Sequence, residues 1–292
     1  MSYFFHSIRT LSFWRYALFS QAAALKLLAT VGALYTFMEI MDFLNIYTKD
    51  QYSKYAIFPI IFVAIIYVIV TRRPVSRISY KVPKRDLIIE VKIADLFVQA
   101  GDIVVSSSTT FDTDISNGLI SPDSLQGQLA LKFFQGNTTE IDRQLTVGLS
   151  GIASTVNSVM PGKQEEYPMG TVVKITSGSK IFYFFAMSRF NAQGNASSTT
   201  RDVEESLEKL WQFIANQGNL KDIAVPLIGT GRGRLDLPRK KMVEKIAQSF
   251  ADASKSRVFC NKLTIVVHPS DADRFEVNLF EVRDYLVQSL HF

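Results

Sequence analysis

Asp222-Ile223-Ala224-Val225-Pro226-Leu227-Ile228 runs directly into Gly229-Thr230-Gly231-Arg232-Gly233-Arg234. The first stretch is short and apolar, the pattern of a buried parallel strand; the second is a glycine-rich loop carrying two cations. Upstream, Asp102-Ile103-Val104-Val105 precedes Ser106-Ser107-Ser108-Thr109-Thr110 in the same way. Loops leaving the carboxyl ends of parallel strands are where α/β sheets bind ligands. Glycines and small hydroxyl residues there suit a pyrophosphate, because backbone N–H groups approach closely and unpaired donors favour an anion. These two loops decide both the fold class and the candidate site.

Working outward, strands are expected at 87–92, 94–98, 102–106, 171–176, 181–187, 222–228 and 262–268. Helices are expected at about 121–135, 138–149, 200–216, 238–254 and 278–289. Ser121-Pro122 and Asp236 with Pro238 have the form of helix starts, a cap residue and a first-turn proline. The helix from Thr200 puts Val203, Leu207, Leu210, Trp211 and Ile214 on one stripe. Alternating strands and helices predict a mixed, mostly parallel sheet covered by helices on both faces. Pro161–Pro168 and Asn191–Ser198 read as exposed loops.

The 292-residue chain has a net charge of +5, unevenly spread. Residues 1–85 hold eleven Lys/Arg and three Asp/Glu; residues 86–292 hold 21 and 24. The larger part is therefore mildly acidic, which argues against a nucleic-acid-binding face. The single cysteine, Cys260, is expected to be a buried strand-edge residue in a reducing compartment. The three histidines, His6, His268 and His291, are scattered, and no metal site is expected. None of them stands near either loop in the sequence.

The basicity belongs to an apolar N-terminal segment. Residues 17–44 and 52–71 are expected to form two transmembrane helices within a membrane region spanning 1–75, followed by a basic linker, 76–86. The alternatives are a buried helical hairpin and a signal peptide; aromatic residues near both ends and dense apolarity favour the hairpin, and no small-residue cleavage site is present. Arg9 and Arg15 precede the first span, and Arg72, Arg73, Arg77, Lys81, Lys84 and Arg85 follow the second. This bias predicts a two-pass inner-membrane protein with both termini cytoplasmic. Glu39 and Asp42, three residues apart, share one helix face, which suggests hairpins assembling around a polar path.

From 87 to the end the chain resembles the macro domains, which bind ADP-ribose and related nucleotides. The resemblance is carried by Ala94-Asp95-Leu96-Phe97, Gly101 to Ser107, Tyr167 to Val172, Ile181 to Ala186 and, most specifically, Val225 to Gly231. A membrane hairpin joined to such a domain further resembles the membrane–macro effectors of Thoeris anti-phage defence. That resemblance implies a signal made by a TIR-domain partner enzyme, histidine–ADP-ribose, sensed by the macro domain and leading to oligomerisation, membrane disruption and cell death or arrest.

The resemblance places Asp95 beside the adenine amine, Ser106, Ser107, Ser108, Thr109 and Thr110 at the ribose or diphosphate, and Gly229, Thr230, Gly231 and Gly233 in the diphosphate cradle. Arg232 and Arg234 would add charge to that cradle. Asp112 and Asp114 depart from the family's glycine-rich sequence and are candidates for recognising the group appended to ADP-ribose. The loop lacks the asparagine that hydrolytic relatives use, so binding is favoured over catalysis and no cofactor is expected. A membrane-anchored ADP-ribosyl hydrolase, or a reader of ADP-ribosylated partners, remains the alternative.

Overall fold

A computed structural model describes residues 8–9, 11–46, 55, 57–73, 75–83, 86–116, 118–158, 162–228, 235, 237–275 and 277–290. It separates into two compact units at Val75/Ser76, each taken by itself.

The first unit is helical: α1 (Leu11–Phe19), α2 (Gln21–Phe43) and α3 (Ile57–Thr71). The first expected span is therefore not continuous. Ser20 takes an extended conformation and caps α2, accepting from the Ala23 amide, so the chain starts a new helix after Phe19. The guanidinium of Arg72 donates to the Tyr16 carbonyl (3.2 Å) and the Ser20 hydroxyl (3.0 Å) and lies 4.0 Å from the Tyr16 ring centroid. α2 is long and apolar enough to cross a membrane, whereas α3 has 15 residues. Both leave large apolar side chains exposed, among them Phe37, Ile40, Phe58 and Phe62. Much of the polar link between them lies outside the described residues.

The second unit is built on a sheet of order β1-β2-β10-β9-β3-β7-β6, with β8 paired to β7. Its strands are β1 (Arg77–Lys81), β2 (Ile88–Ile93), β3 (Asp102–Ser108), β6 (Val172–Ser177), β7 (Lys180–Phe190), β8 (Ala196–Ser197), β9 (Ile223–Pro226) and β10 (Lys262–Val267); β4 (Thr155–Val156) and β5 (Glu165–Glu166) form a separate hairpin. The five central strands, β2, β10, β9, β3 and β7, run parallel. β1 and β6 flank them antiparallel. β1 occupies residues expected to be linker, so the sheet begins ahead of 87.

Helices cover both faces. α4 (Leu125–Phe134) and α5 (Thr138–Leu149) pack on one side, and α6 (Thr200–Gln217), α7 (Arg239–Ala253) and α9 (Leu279–Ser289) pack against the other strands and one another. Alternate strand residues feed the two cores. Ile103, Val105, Phe182 and Phe184 join the cluster under α4 and α5, with Leu129, Phe134, Ile141 and Leu145. On the α6 side, Tyr183 meets Phe213 edge-on, and Trp211 packs with Phe250 and Phe259. The whole stripe Val203, Leu207, Leu210, Trp211 and Ile214 is buried, as its spacing predicts. Cys260 is buried, and burial pushes its thiol up to about 12.

Three local expectations fail, and one short helix is additional. Pro238 is the cap position of α7, without a side-chain cap bond, and not a first-turn proline. Residues 94–98 are not a strand: Asp95 caps a 3-10 turn, Leu96–Val98, by accepting from the Phe97 amide. Ser121-Pro122 forms a turn ahead of α4, whose cap is Ser124. α8 (Pro269–Arg274) is an additional short helix, capped by the His268 side chain.

The pair that positions the site is β3–β9. Asp102 N donates to Asp222 O at 2.8 Å, and the strands pair at Asp102–Ile223 and Ile103–Ala224 and then part. Leu227 N donates to Val266 O on β10, so by alternation Pro226 faces β3, and proline has no N–H to offer. The strands are held together at their beginnings and released at their carboxyl ends. Gly101 makes the close start possible: its φ is +88°, and a Cβ there would lie 2.1 Å from Asp222 O. Gly101→Ala is expected to cost at least about 2 kcal/mol, read as a drop in the denaturant midpoint of unfolding.

Candidate functional site

The parted strands open a cleft of about 580 Å³ along the carboxyl rim of the five parallel strands. Each strand contributes: Asp95 just after β2, His268 after β10, Pro226 and Leu227 of β9 and its exit, Ser106–Ser108 of β3, and Met187 and Ser188 of β7. A bulge helps to build the last of these. The β3–β7 register passes from Ser107–Ala186 to Ser108–Ser188, so Met187 is the extra residue and both it and Ser188 line the cleft.

Asp95 is brought to the cleft with its carboxylate already anchored. Oδ1 accepts from the Phe97 amide (2.9 Å), and Oδ2 pairs with Lys132 Nζ (3.0 Å), which also sits over the Phe97 ring. Partial burial opposes ionisation, but the Phe97 amide and the Lys132 ammonium outweigh it and hold the carboxyl below its usual range. Each oxygen retains a second lone pair for a ligand amine.

The first loop splits into two roles. Ser106, Ser107 and Ser108 line the cleft; Thr109 and Thr110 are buried behind it. Thr109 N donates to Ser188 O, its hydroxyl to Glu166 (3.1 Å), and its carbonyl accepts from Tyr167 N. The Thr110 hydroxyl donates to Asp112 Oδ2 at 2.6 Å and lies 2.9 Å from Ser108 Oγ.

The structure does not bring Asp112 and Asp114 to the cleft wall. Asp112 is 2% exposed, and its Oδ1 accepts from Lys163 N at 2.9 Å. Gly162 packs so closely that a Cβ would lie 2.4 Å from that oxygen. Lys163 Nζ donates to Phe111 O and pairs with Asp142. This clamp holds Phe111, fully buried, at φ +50°, a left-handed conformation costing a bulky residue about 1–2 kcal/mol. Asp114 is exposed and accepts from the Ser116 amide and hydroxyl, the local turn typical of aspartate. Both carboxylates thus support loop shape. The second loop's candidates, Gly229, Thr230, Gly231, Arg232, Gly233 and Arg234, lie outside the described residues, although β9 delivers the chain to the cleft at Leu227.

Sequence reasoning missed the segment facing Ser106–Ser108: Ile120, Ser121, Asp123, Ser124 and Gln126 line the cleft at the start of α4. Ser124 Oγ accepts from Gly127 N, and Gln126 Nε2 donates to Ser107 Oγ (2.9 Å), tying this helix start to β3. Gly127 is the legible signal, because a Cβ there would lie 2.2 Å from Ser121 O and drive the turn off the helix. Helix N-termini offer amide donors and a positive dipole end to an anion. Sequence reasoning also missed His268, which no spacing connects to either loop; β10 carries it to the rim beside Asp95, where Ala94 N donates to Val267 O.

Burial raises the Asp112 carboxyl above its ordinary value, against the bonds from Thr110 and Lys163. The folded chain thus holds that proton more tightly than the unfolded chain. Its contribution to stability is present below the unfolded value, about 4, and is lost as pH rises through the folded one. Asp112→Asn is expected to flatten this fall in unfolding measured against pH. Asp112→Ala, which strands two buried donors, is expected to cost about 1–3 kcal/mol by denaturant unfolding.

Residues 89–268 match the family model described as Thoeris protein ThsA, Macro domain. Thoeris protein ThsA of Bacillus amyloliquefaciens (strain Y2) is 22% identical over 205 residues, 68% of this chain and 67% of the relative. Among solved structures, a point mutant of the Oceanobacillus iheyensis macrodomain overlays with a TM-score of 0.49 at 15% identity, covering 73% of this chain and 99% of its own. The macrodomain of the same organism with ADP gives 0.42 at 13% identity, over 73% and 97%. The matched span holds the five parallel strands and most of the cleft lining: the chain belongs to the Thoeris protein ThsA macro-domain family.

Proposed function

We propose that this protein is a ligand-gated membrane effector of anti-phage defence. Its macro unit binds an ADP-ribose-type signal, histidine–ADP-ribose made by a TIR-domain partner, as a ligand and not as a substrate. Binding changes the assembly of copies in the inner membrane, and the rearranged helices disrupt the bilayer and halt the cell. The observation that carries this is the pairing, in one chain of this family, of a strand-end cleft with a helix apolar enough to span a membrane.

The ligand contacts follow from the cleft. Asp95 accepts from the base amine, Ser106, Ser107 and Ser108 meet the ribose and diphosphate with the start of α4, and Gly229, Thr230, Gly231, Arg232, Gly233 and Arg234 are further candidates for the diphosphate. Thr109, Thr110 and Asp112 hold the first loop in shape. Gating needs differential affinity: moving an assembly equilibrium from 1:99 to 99:1 takes about 10⁴-fold tighter binding to the active form. The arginines after the second span and before the first fix the macro unit on the cytoplasmic side, where an NAD-derived signal is made. Glu39 and Asp42 line the polar path of the assembled hairpins.

A second function, ADP-ribosyl hydrolysis, is favoured by one observation: an imidazole, His268, stands in the cleft wall with Asp123 and Asp271. The two separate cleanly. The full chain in detergent, incubated with ADP-ribose and histidine–ADP-ribose, is expected to return both intact while its particle mass increases; turnover at constant mass would establish hydrolysis instead. Asp95→Ala is expected to weaken ADP-ribose binding by roughly 10- to 100-fold in calorimetry, the loss of one charge-assisted hydrogen bond.

A further inference from the structure

The cleft lining contains a ring that the proposed ligand contacts leave unused. His268 follows β10 and Asp95 follows β2; these strands are parallel neighbours in register from Lys262–Ile88 to Val267–Ile93. Adjacent strands lie about 4.8 Å apart, and continuing the register sets His268 level with Ala94, one residue before Asp95, so both residues leave the rim from neighbouring strands. Both line the cleft.

The cap fixes the chemistry of the ring. Ser270 N, which can only donate, meets His268 Nδ1 at 3.3 Å, and Ser270 Oγ lies 2.7 Å from the same nitrogen. Nδ1 is therefore an acceptor, and the proton of the neutral ring is assigned to Nε2. With Nδ1 turned back onto α8, Nε2–H is the polar atom His268 offers to a ligand. The rim thus presents a carboxylate acceptor next to an N–H donor. Adenine has the complement: an exocyclic amine donor flanked by a ring-nitrogen acceptor. A 6-oxo purine places an acceptor where the amine would be and faces the carboxylate with its oxygen.

We propose that His268 is a specificity-determining residue that donates its Nε2–H to the purine ring nitrogen beside the 6-amino group, completing with Asp95 a two-point test for adenine. The inference rests on reading the cleft as an ADP-ribose site. It assigns to a histidine the work of base selection, and it explains why the residue that caps a six-residue helix is an imidazole where serine would cap as well.

Calorimetry on the full chain in detergent tests it with ADP-ribose and its 1-deaza and 7-deaza adenine analogues. His268→Ser keeps a capping oxygen and removes the ring donor; His268→Phe keeps a ring and removes the N–H. Both are expected to bind ADP-ribose about tenfold more weakly than wild type, the worth of one hydrogen bond. One deaza analogue is expected to show the same loss on wild type and no further loss on His268→Ser. Wild-type affinity in His268→Phe would replace the donor by stacking and overturn the proposal. Additive losses with both analogues, or unchanged affinity in His268→Ser, would overturn it too while leaving the ADP-ribose site standing. No binding of ADP-ribose to wild type would remove the site and this inference together. Thermal unfolding of each variant, expected within a few degrees of wild type, separates lost contact from lost fold.

Discussion

A missing proton opens the cleft. Pro226 occupies the position at which β9 would next donate to β3, and without an N–H the ladder stops after two residue pairs. Everything upstream pulls the same two strands together, through Gly101 against Asp222 and the Asp102–Asp222 bond. The sheet is closed at one end and open at the other for a covalent reason. The parted strands deliver the first loop to one wall and the chain leading to the second loop to the floor. An apolar core on each face, under α4 and α5 and under α6 and α7, keeps this opening from collapsing by fixing the flanking strands.

The walls are shaped by polar bonds that run from the buried Asp112 and Thr110 to the half-exposed Lys163–Asp142 pair. Asp112, Thr110, Lys163 and Asp142 form one connected group that holds Phe111 in a strained conformation and sets the direction of Ser106–Ser108. Such groups are costly to bury unless satisfied and specific once they are. The cleft lining among the described residues carries Asp95, Asp123 and Asp271 and no Lys or Arg. Among these residues, an anion would be met by backbone amides and the start of α4.

Much of the fold was legible. The apolar runs at β2, β3, β9 and β10, and the stripe from Val203 to Ile214, follow directly from period and composition. What escaped has physical causes. β1 was hidden because Arg77 and Lys81 read as linker charge, whereas an edge strand tolerates exactly such residues on its open side. Residues 94–98 looked like strand until the Asp95 cap diverted them into a turn. At the site, Ser106–Ser108 were legible as polar residues at a strand end, and Asp95 through the resemblance to the macro domains. Asp112 was misplaced because a carboxylate after a polar loop looks solvent-facing, and its burial depends on Lys163 and Gly162, far along the chain. His268 joined the site through strand order alone, which no local pattern records.

The central claim is that the rim cleft holds an ADP-ribose-type nucleotide without consuming it. Hydrogen–deuterium exchange on the full chain, with and without ADP-ribose, tests this most directly. The account predicts protection at segments 94–98, 106–128, 187–190, 226–234 and 266–271, persisting through hours of incubation with the nucleotide recovered intact. No protection at these segments, or protection that decays as ADP-ribose is converted, would contradict it.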